Sequence, residues 1–180
     1  MEEPLRTPAA SRCHMTEMVL PNDTNIRNTL FGGRLLSLMD KCAAISAMRH
    51  AGNLCVTAGI DSVDFWHPIN LGDAVMLNAW VNRAFRTSLE VEVTVQTQNL
   101  ASKELRHCNH AFFSFVSIDE DGMPKAVPAI HPQTEEEAER YKLAALRREL
   151  RLYQKGHIRL VDAKLIKEEI FAALAIKDFK

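Results

Sequence analysis

Residues 32–50 fit neither a surface helix nor a strand, and they constrain the fold more than any other stretch. The run Gly32-Gly33-Arg34-Leu35-Leu36-Ser37-Leu38-Met39-Asp40-Lys41-Cys42-Ala43-Ala44-Ile45-Ser46-Ala47 has helix-forming composition. At roughly 100° per residue its apolar side chains appear at almost every angle. A helix that is apolar all round has to be wrapped, so the rest of the chain must supply a sheet around it. One acid interrupts it. Asp40 shares its sector with Leu36, Ala43, Ala44, Ala47 and Ala51; the alanines leave room beside a carboxylate, where a packing position would carry bulk.

The remaining sequence supplies that sheet. Cys13 to Val19 reads as a strand, and Pro21-Asn22-Asp23-Thr24-Asn25 as turn chemistry. The helix predicted from about Gly32 to His50 ends at Ala51-Gly52-Asn53. Strands are predicted over Leu54 to Trp66, Ala74 to Val81, Ser88 to Gln98 and His107 to Ile118. In Ser88–Gln98, Leu89, Val91, Val93 and Val95 face one way and Glu90, Glu92, Thr94 and Gln96 the other, the mark of a half-buried antiparallel strand. One buried helix followed by consecutive antiparallel strands gives an α+β class. Beyond Gln133 the pattern changes to a charge-laced helix capped by Thr134 and running to about Tyr153. A second amphipathic helix is predicted over Val161 to Lys177, striped by Leu165, Ile166, Ile170, Phe171 and Leu174. The organisation is a flexible lead-in (1–12), a core domain (13–132) and a C-terminal helical extension (133–180).

Composition narrows the function. The chain has 180 residues, 47% hydrophobic and 25% charged, with a formal net charge of -1, so bulk basicity for nucleic acid is absent. No apolar run reaches the roughly 20 residues that span a bilayer. The acidic start Met1-Glu2-Glu3-Pro4 does not resemble a secretory signal. Cys13, Cys42, Cys55 and Cys108 form no Cys-x-x-Cys pair and read as reduced thiols of a cytoplasmic-type compartment.

The chemistry concentrates around Asp40. A carboxylate among apolar residues is a site candidate, and a glycine-opened helix start offers free backbone N–H groups to an oxyanion. Asn25 lies one short loop upstream. Together they suit hydrolysis at a carbonyl: Asp40 as general base or nucleophile, N–H groups near Gly33 and Arg34 as oxyanion donors, and Asn25 positioning water or the carbonyl. The alternative is that Asp40 bonds a loop backbone and Asn25 makes a turn; from residue pattern alone this is slightly favoured. Ser37, one turn before Asp40, could orient the carboxylate or bond its own backbone. Cys42 has no His beside it to act as its base, and no Gly-x-Ser-x-Gly elbow exists. His107 and His110 have metal-ligand types, but three apart on a strand they point to opposite faces, so no metal site is read.

Several segments, in order, carry a resemblance: Pro21-Asn22-Asp23-Thr24-Asn25, Leu30-Phe31-Gly32-Gly33-Arg34 through Asp40, Val56-Thr57-Ala58-Gly59-Ile60-Asp61-Ser62-Val63-Asp64-Phe65, Pro68, Gly72-Asp73 and Phe85-Arg86-Thr87-Ser88. Over about residues 13–130 the chain resembles the hotdog-fold acyl-CoA thioesterases, nearest the YciA-like and brain acyl-CoA hydrolase-like branch. Phe85 stands where that family usually has glycine. The resemblance implies a long central helix wrapped by a curved antiparallel sheet and protomers paired edge to edge. It also implies further assembly, commonly to hexamers, and an active site at the dimer interface. It places the catalytic acid on Asp40 and the catalytic asparagine on Asn25, from opposite protomers, with the oxyanion donor at Gly32-Gly33. Acyl-CoA is then the substrate, and no metal or redox cofactor is expected.

Coenzyme A carries phosphates, so basic groups belong at the channel mouth. Arg83, Arg86, Lys103 and Arg106 are candidates, Arg86 first, with Thr87 and Ser88 offering hydroxyls. Gly32, Arg34, Ser37 and Ser62 complete the substrate-binding set. Two rival functions stand: a hotdog hydratase or dehydratase, which usually pairs a His with an acid where this helix start carries Phe31, and a non-catalytic acyl-CoA or nucleotide-binding module. Free-thiol release separates both from a thioesterase.

Overall fold

The computed structural model describes residues 6–61, 63 and 65–169. The chain divides into two compact units, Met1–His131 and Pro132–Lys180.

The first unit holds a five-stranded antiparallel sheet in the order β1-β3-β4-β5-β2. Its strands are β1 (Cys13–Met18), β2 (Leu54–Ile60), β3 (Ala74–Ala84), β4 (Ser88–Gln98) and β5 (Leu105–Ile118). A short helix α1 (Pro8–Ser11) precedes β1, and the long helix α2 (Gly32–Ala51) separates β1 from β2. All five strands contact α2, so the helix is wrapped as its apolar circumference requires. Leu35, Met39, Cys42, Ala43 and Ala47 of α2 are buried, as are Leu77 and Val81 of β3, Val91, Val93 and Val95 of β4, and Phe113 and Phe115 of β5. Each large side chain in that layer contributes about 1.5–3 kcal/mol by leaving water. Gly52 ends α2 with φ 69, a left-handed conformation that glycine adopts without a Cβ clash, and its N–H bonds the Met48 carbonyl at 2.9 Å.

Four expectations change. Residues 6–12, read as part of a loose lead-in, are folded. Thr7 caps α1, and the buried Ser11 hydroxyl accepts from Val81 N–H at 2.9 Å while donating to Pro8 O at 2.7 Å. The strand predicted to Trp66 stops at Ile60, where Asp61 and Asp64 bring a residue type depleted from strands. β4 is buried on both faces at its middle: Glu90 is fully buried and Glu92 nearly so. A register irregularity between Val81 and Arg83 brings Asn82 to these acids, and its Nδ2 donates to Glu92 Oε2 at 2.8 Å and Glu90 Oε1 at 3.4 Å. Buried carboxylates require such partners. His107 and His110 lie opposite Gln96 and Thr94 of β4, so they share one face, because the β4–β5 register shifts between Val95 and Gln96. Different partners take them: His107 bonds Gln96 at 3.0 Å and His110 bonds Glu92 at 2.9 Å.

In the second unit α3 (Glu135–Gln154) starts at Thr134, whose hydroxyl accepts from Glu137 N–H at 3.1 Å. Residues 164–169 are helical and meet α3 through the Ile166 N–H donated to Glu149 Oε2 at 2.7 Å. Ile170, Phe171 and Leu174 of the predicted stripe lie outside the described residues.

Candidate active site

Asp40 sits in the third turn of α2, half-buried on the side that meets β2. Among the described residues, Thr57 is the side chain that hydrogen-bonds it: Thr57 Oγ1 donates to Asp40 Oδ1 at 2.6 Å. That is a short, charge-assisted bond. Local strand geometry supports it. Thr57 pairs with Phe115, but the next pairing is Gly59 with Ser114, so Ala58 is an extra residue in β2. A bulge of this kind re-aims the side chain beside it. Thr57 was not among the residues singled out from the sequence. Gly59, a glycine inside a β-branched run, was the available signal, since it marks strand irregularity.

The helix start is open. Phe31 is the N-cap and makes no side-chain cap bond, so the first N–H groups of α2 are left without the usual oxygen acceptor. A Cβ built at Gly33 would meet nothing within 4 Å. Arg34 turns away to Asp23, Nε to Oδ1 at 2.8 Å, and its side chain ties the preceding loop to the helix.

Asn25 shapes that loop. Its Oδ1 accepts from Arg27 N–H at 2.8 Å and Thr29 N–H at 3.3 Å, and its Nδ2 donates to Thr29 Oγ1 at 2.9 Å. The loop is laced to residues 69–71 by Leu30 N–H to Ile69 O at 2.8 Å and Leu71 N–H to Asn28 O at 2.9 Å. Asn28 takes φ 57 at the loop's tightest point. Within one chain Asn25 bonds its own loop and Asp40 bonds Thr57.

The other predicted residues fall elsewhere. Ser37 is half-buried one turn before Asp40. Arg86 and Thr87 form the β3–β4 hairpin loop, held by Val127 N–H to Arg86 O and Ser117 N–H to Thr87 O, both at 3.0 Å, and Ser88 opens β4 opposite Val116. Ser62 lies outside the described residues. Arg83 stacks its guanidinium 5.4 Å from the Phe85 ring centroid, and Arg106 pairs with Glu104 at 2.7 Å. Cys42 is no nucleophile: burial, with Cys13 beside it, pushes its thiol up to about 12.

Residues 27–102 match the family model described as the thioesterase superfamily. The uncharacterized acyl-CoA thioester hydrolase YkhA of Bacillus subtilis is 42% identical over 147 residues, covering 82% of this chain and 86% of that one. The chain belongs to the thioesterase superfamily. Its fold is the hotdog fold, shared with solved relatives. A structure described as an apo-hexameric acyl-CoA thioesterase is 44% identical, covers 83% of this chain and 96% of its own, and superposes with a TM-score of 0.80. An acyl-CoA hydrolase of Staphylococcus aureus is 35% identical, with 93% and 99% coverage and a TM-score of 0.78. It was solved with butyryl coenzyme A, coenzyme A and coenzyme A disulfide. It was also solved as variants in which an aspartate, an asparagine and a threonine are each replaced by alanine. Among the relatives of this thioesterase family member, one is thus described as a hexamer and another was solved with coenzyme A bound.

Proposed function

We propose that this enzyme hydrolyses acyl-CoA thioesters to a free carboxylic acid and coenzyme A, with Asp40 as general base. The carrying observation is the Asp40 carboxylate held by the Thr57 hydroxyl at 2.6 Å, which leaves Oδ2 to accept a proton from water. The three substituted positions of the Staphylococcus aureus hydrolase are spaced along that chain as Asn25, Asp40 and Thr57 are along this one. Water oxygen attacks the thioester carbon as its proton passes to Asp40. The carbonyl electrons move to oxygen and are held by the N–H groups of Gly33 and Arg34. The intermediate then collapses, the C–S bond breaks, and the sulfur takes the proton back from Asp40. A thioester is already activated, so this scheme includes no metal or redox cofactor.

The site is shared between protomers in this reading. Asp40 lies seven residues beyond Gly33, about 10 Å along the helix axis at ~1.5 Å per residue. A base and an oxyanion donor must each come within about 3 Å of one reacting group. The start of one α2 therefore serves the Asp40 and Thr57 of a second copy, lying antiparallel across a two-fold axis. Asn25 belongs with the helix start, where the second N–H of its Nδ2 can meet the carbonyl or the water. Further assembly to a hexamer and a cytoplasmic location complete the reading. No described helix is long and apolar enough to cross a membrane.

Thiol release measured across acyl chain lengths, with Asp40→Asn as control, tests this function. Turnover in the wild type and its near-loss in a folded Asp40→Asn are expected. Undiminished turnover in Asp40→Asn overturns the assignment of the base.

A further inference from the structure

The two glycines that open α2 are not alike. A Cβ at Gly32 would sit 3.2 Å from Phe65 Cζ and 3.4 Å from Cε1, whereas one at Gly33 would meet nothing within 4 Å. One flank of the helix start is thus closed by the edge of an aromatic ring, and the other is open. Phe65 follows the end of β2. The backbone on either side of it hangs from β5, by Asp61 N–H to Phe112 O at 3.0 Å and Trp66 N–H to Cys108 O at 3.2 Å. Yet Phe65 is 52% exposed, so core burial does not account for its placement.

We propose that Phe65 is a positioning residue for hydrolysis, its ring covering the Gly32 flank of the α2 start so that the oxyanion-donating N–H groups meet the thioester carbonyl rather than water. The inference rests on the hydrolase reading above. Donors at an uncapped helix end are hydrated when exposed, and bulk water weakens their field at a developing charge. A ring against the Gly32 Cα excludes water from that side, and Gly33 leaves the other side free for the substrate. Gly32 is then glycine because the ring must approach, and Gly33 because the substrate must.

The test uses the full-length protein, acyl-CoA and thiol release. Wild type and Asp40→Asn are measured first, beside Phe65→Ala, Phe65→Leu, Gly32→Ala and Gly32→Ala/Phe65→Ala. Phe65→Ala is expected to lower kcat roughly tenfold or more, below the ~10²–10³ lost with an oxyanion donor itself. KM, inhibition by free coenzyme A and Tm should stay near wild type. Phe65→Leu, which keeps an apolar cover, should recover most of the rate. Gly32→Ala should lower kcat, and adding it to Phe65→Ala should lower kcat little further, because the methyl then has no ring to displace. Wild-type kcat in Phe65→Ala overturns the proposal. So does a loss matched by equal losses in coenzyme A binding and Tm, or a Gly32→Ala effect equal with and without the ring. If Asp40→Asn is dead and Phe65→Ala is normal, this inference alone falls. If Asp40→Asn is fully active, or the wild type releases no thiol, the catalytic reading fails and carries this one with it.

Discussion

The short bond from Thr57 to Asp40 gives the carboxylate a fixed orientation, and three substitutions separate orientation from charge. Asp40→Asn removes the proposed base, and a loss of about 10²–10⁴ in kcat is expected with the fold kept. Thr57→Val removes the hydroxyl but keeps the β-branched shape, so it should lower kcat less than Asp40→Asn does. Thr57→Ser should restore most of the rate. Steady-state kinetics on one acyl-CoA checks the order, and a Thr57→Val rate equal to wild type would count against the hydroxyl. At the neighbouring loop, Asn28 at φ 57 occupies a left-handed conformation that costs most L-residues roughly 1–2 kcal/mol and asparagine less. Asn28→Ala should therefore lower stability by about 1 kcal/mol in urea unfolding, and Asn28→Gly should not. The thiols answer a third question. Burial holds Cys42 up to about 12 and Cys55 up to about 11, so neither should react with a thiol reagent at pH 8 in the folded protein. The sign follows: these thiols stay neutral when folded but ionise above about 9 when unfolded. Their contribution is intact below pH 9 and is lost as pH rises through 11 to 12.

The end of α2 couples a helix to the pH of the medium. His50 is buried near the helix terminus, and its Nε2 donates to the Pro128 carbonyl at 3.0 Å. Burial holds this imidazole below its ordinary value of 6.5 despite that bond. The folded state therefore binds fewer protons than the unfolded chain, and stability falls as pH drops below about 6.5. His50→Gln should flatten that acid limb in melts taken between pH 5 and 7; an unchanged limb would assign it elsewhere. Elements such as α2 were legible because a single helix carries its period, its glycine start and its glycine end in consecutive residues. The register irregularities were not. The extra residues at Ala58 and Asn82, and the shift between β4 and β5, arise from pairing between strands distant in sequence, so strict alternation misassigned His107 and His110 and left Thr57 unmarked. Glu90 and Glu92 read as a solvent face for the same reason, since the amide that satisfies them comes from another strand. Asp40 stood out because it breaks an apolar run within its own helix. Its hydroxyl partner lies on a different element and carries no such local contrast.

At the scale of the molecule the sheet ends on an open, apolar edge. Among the described residues β2 pairs with β5 alone, and Leu54, Val56 and Ile60 along it are 56%, 42% and 41% exposed. Ile45 of α2, on the same unit, is 38% exposed. An open apolar edge recruits another strand unless charge or proline blunts it, and β2 has neither. In the proposed dimer a second β2 across a two-fold axis would cover it and bring one Asp40 toward the other helix start. Assembly and catalysis are then one property, and a charge on the edge should remove both. Val56→Lys lies next to Thr57 in sequence, so it also needs a control that disturbs the edge away from the acid. Leu54→Lys supplies that control. Both variants should elute as smaller species in size-exclusion chromatography with light scattering. Both should lose turnover in proportion to the fraction dissociated, with far-UV circular dichroism retained. Mixing Asp40→Asn with Asn25→Ala protomers should return up to about a quarter to a half of the wild-type rate, because a mixed dimer holds one site with both groups intact. No return of activity in mixed dimers verified by mass spectrometry would place each site within one chain, and the 10 Å separation along α2 would then have to be closed by a movement of the helix start itself.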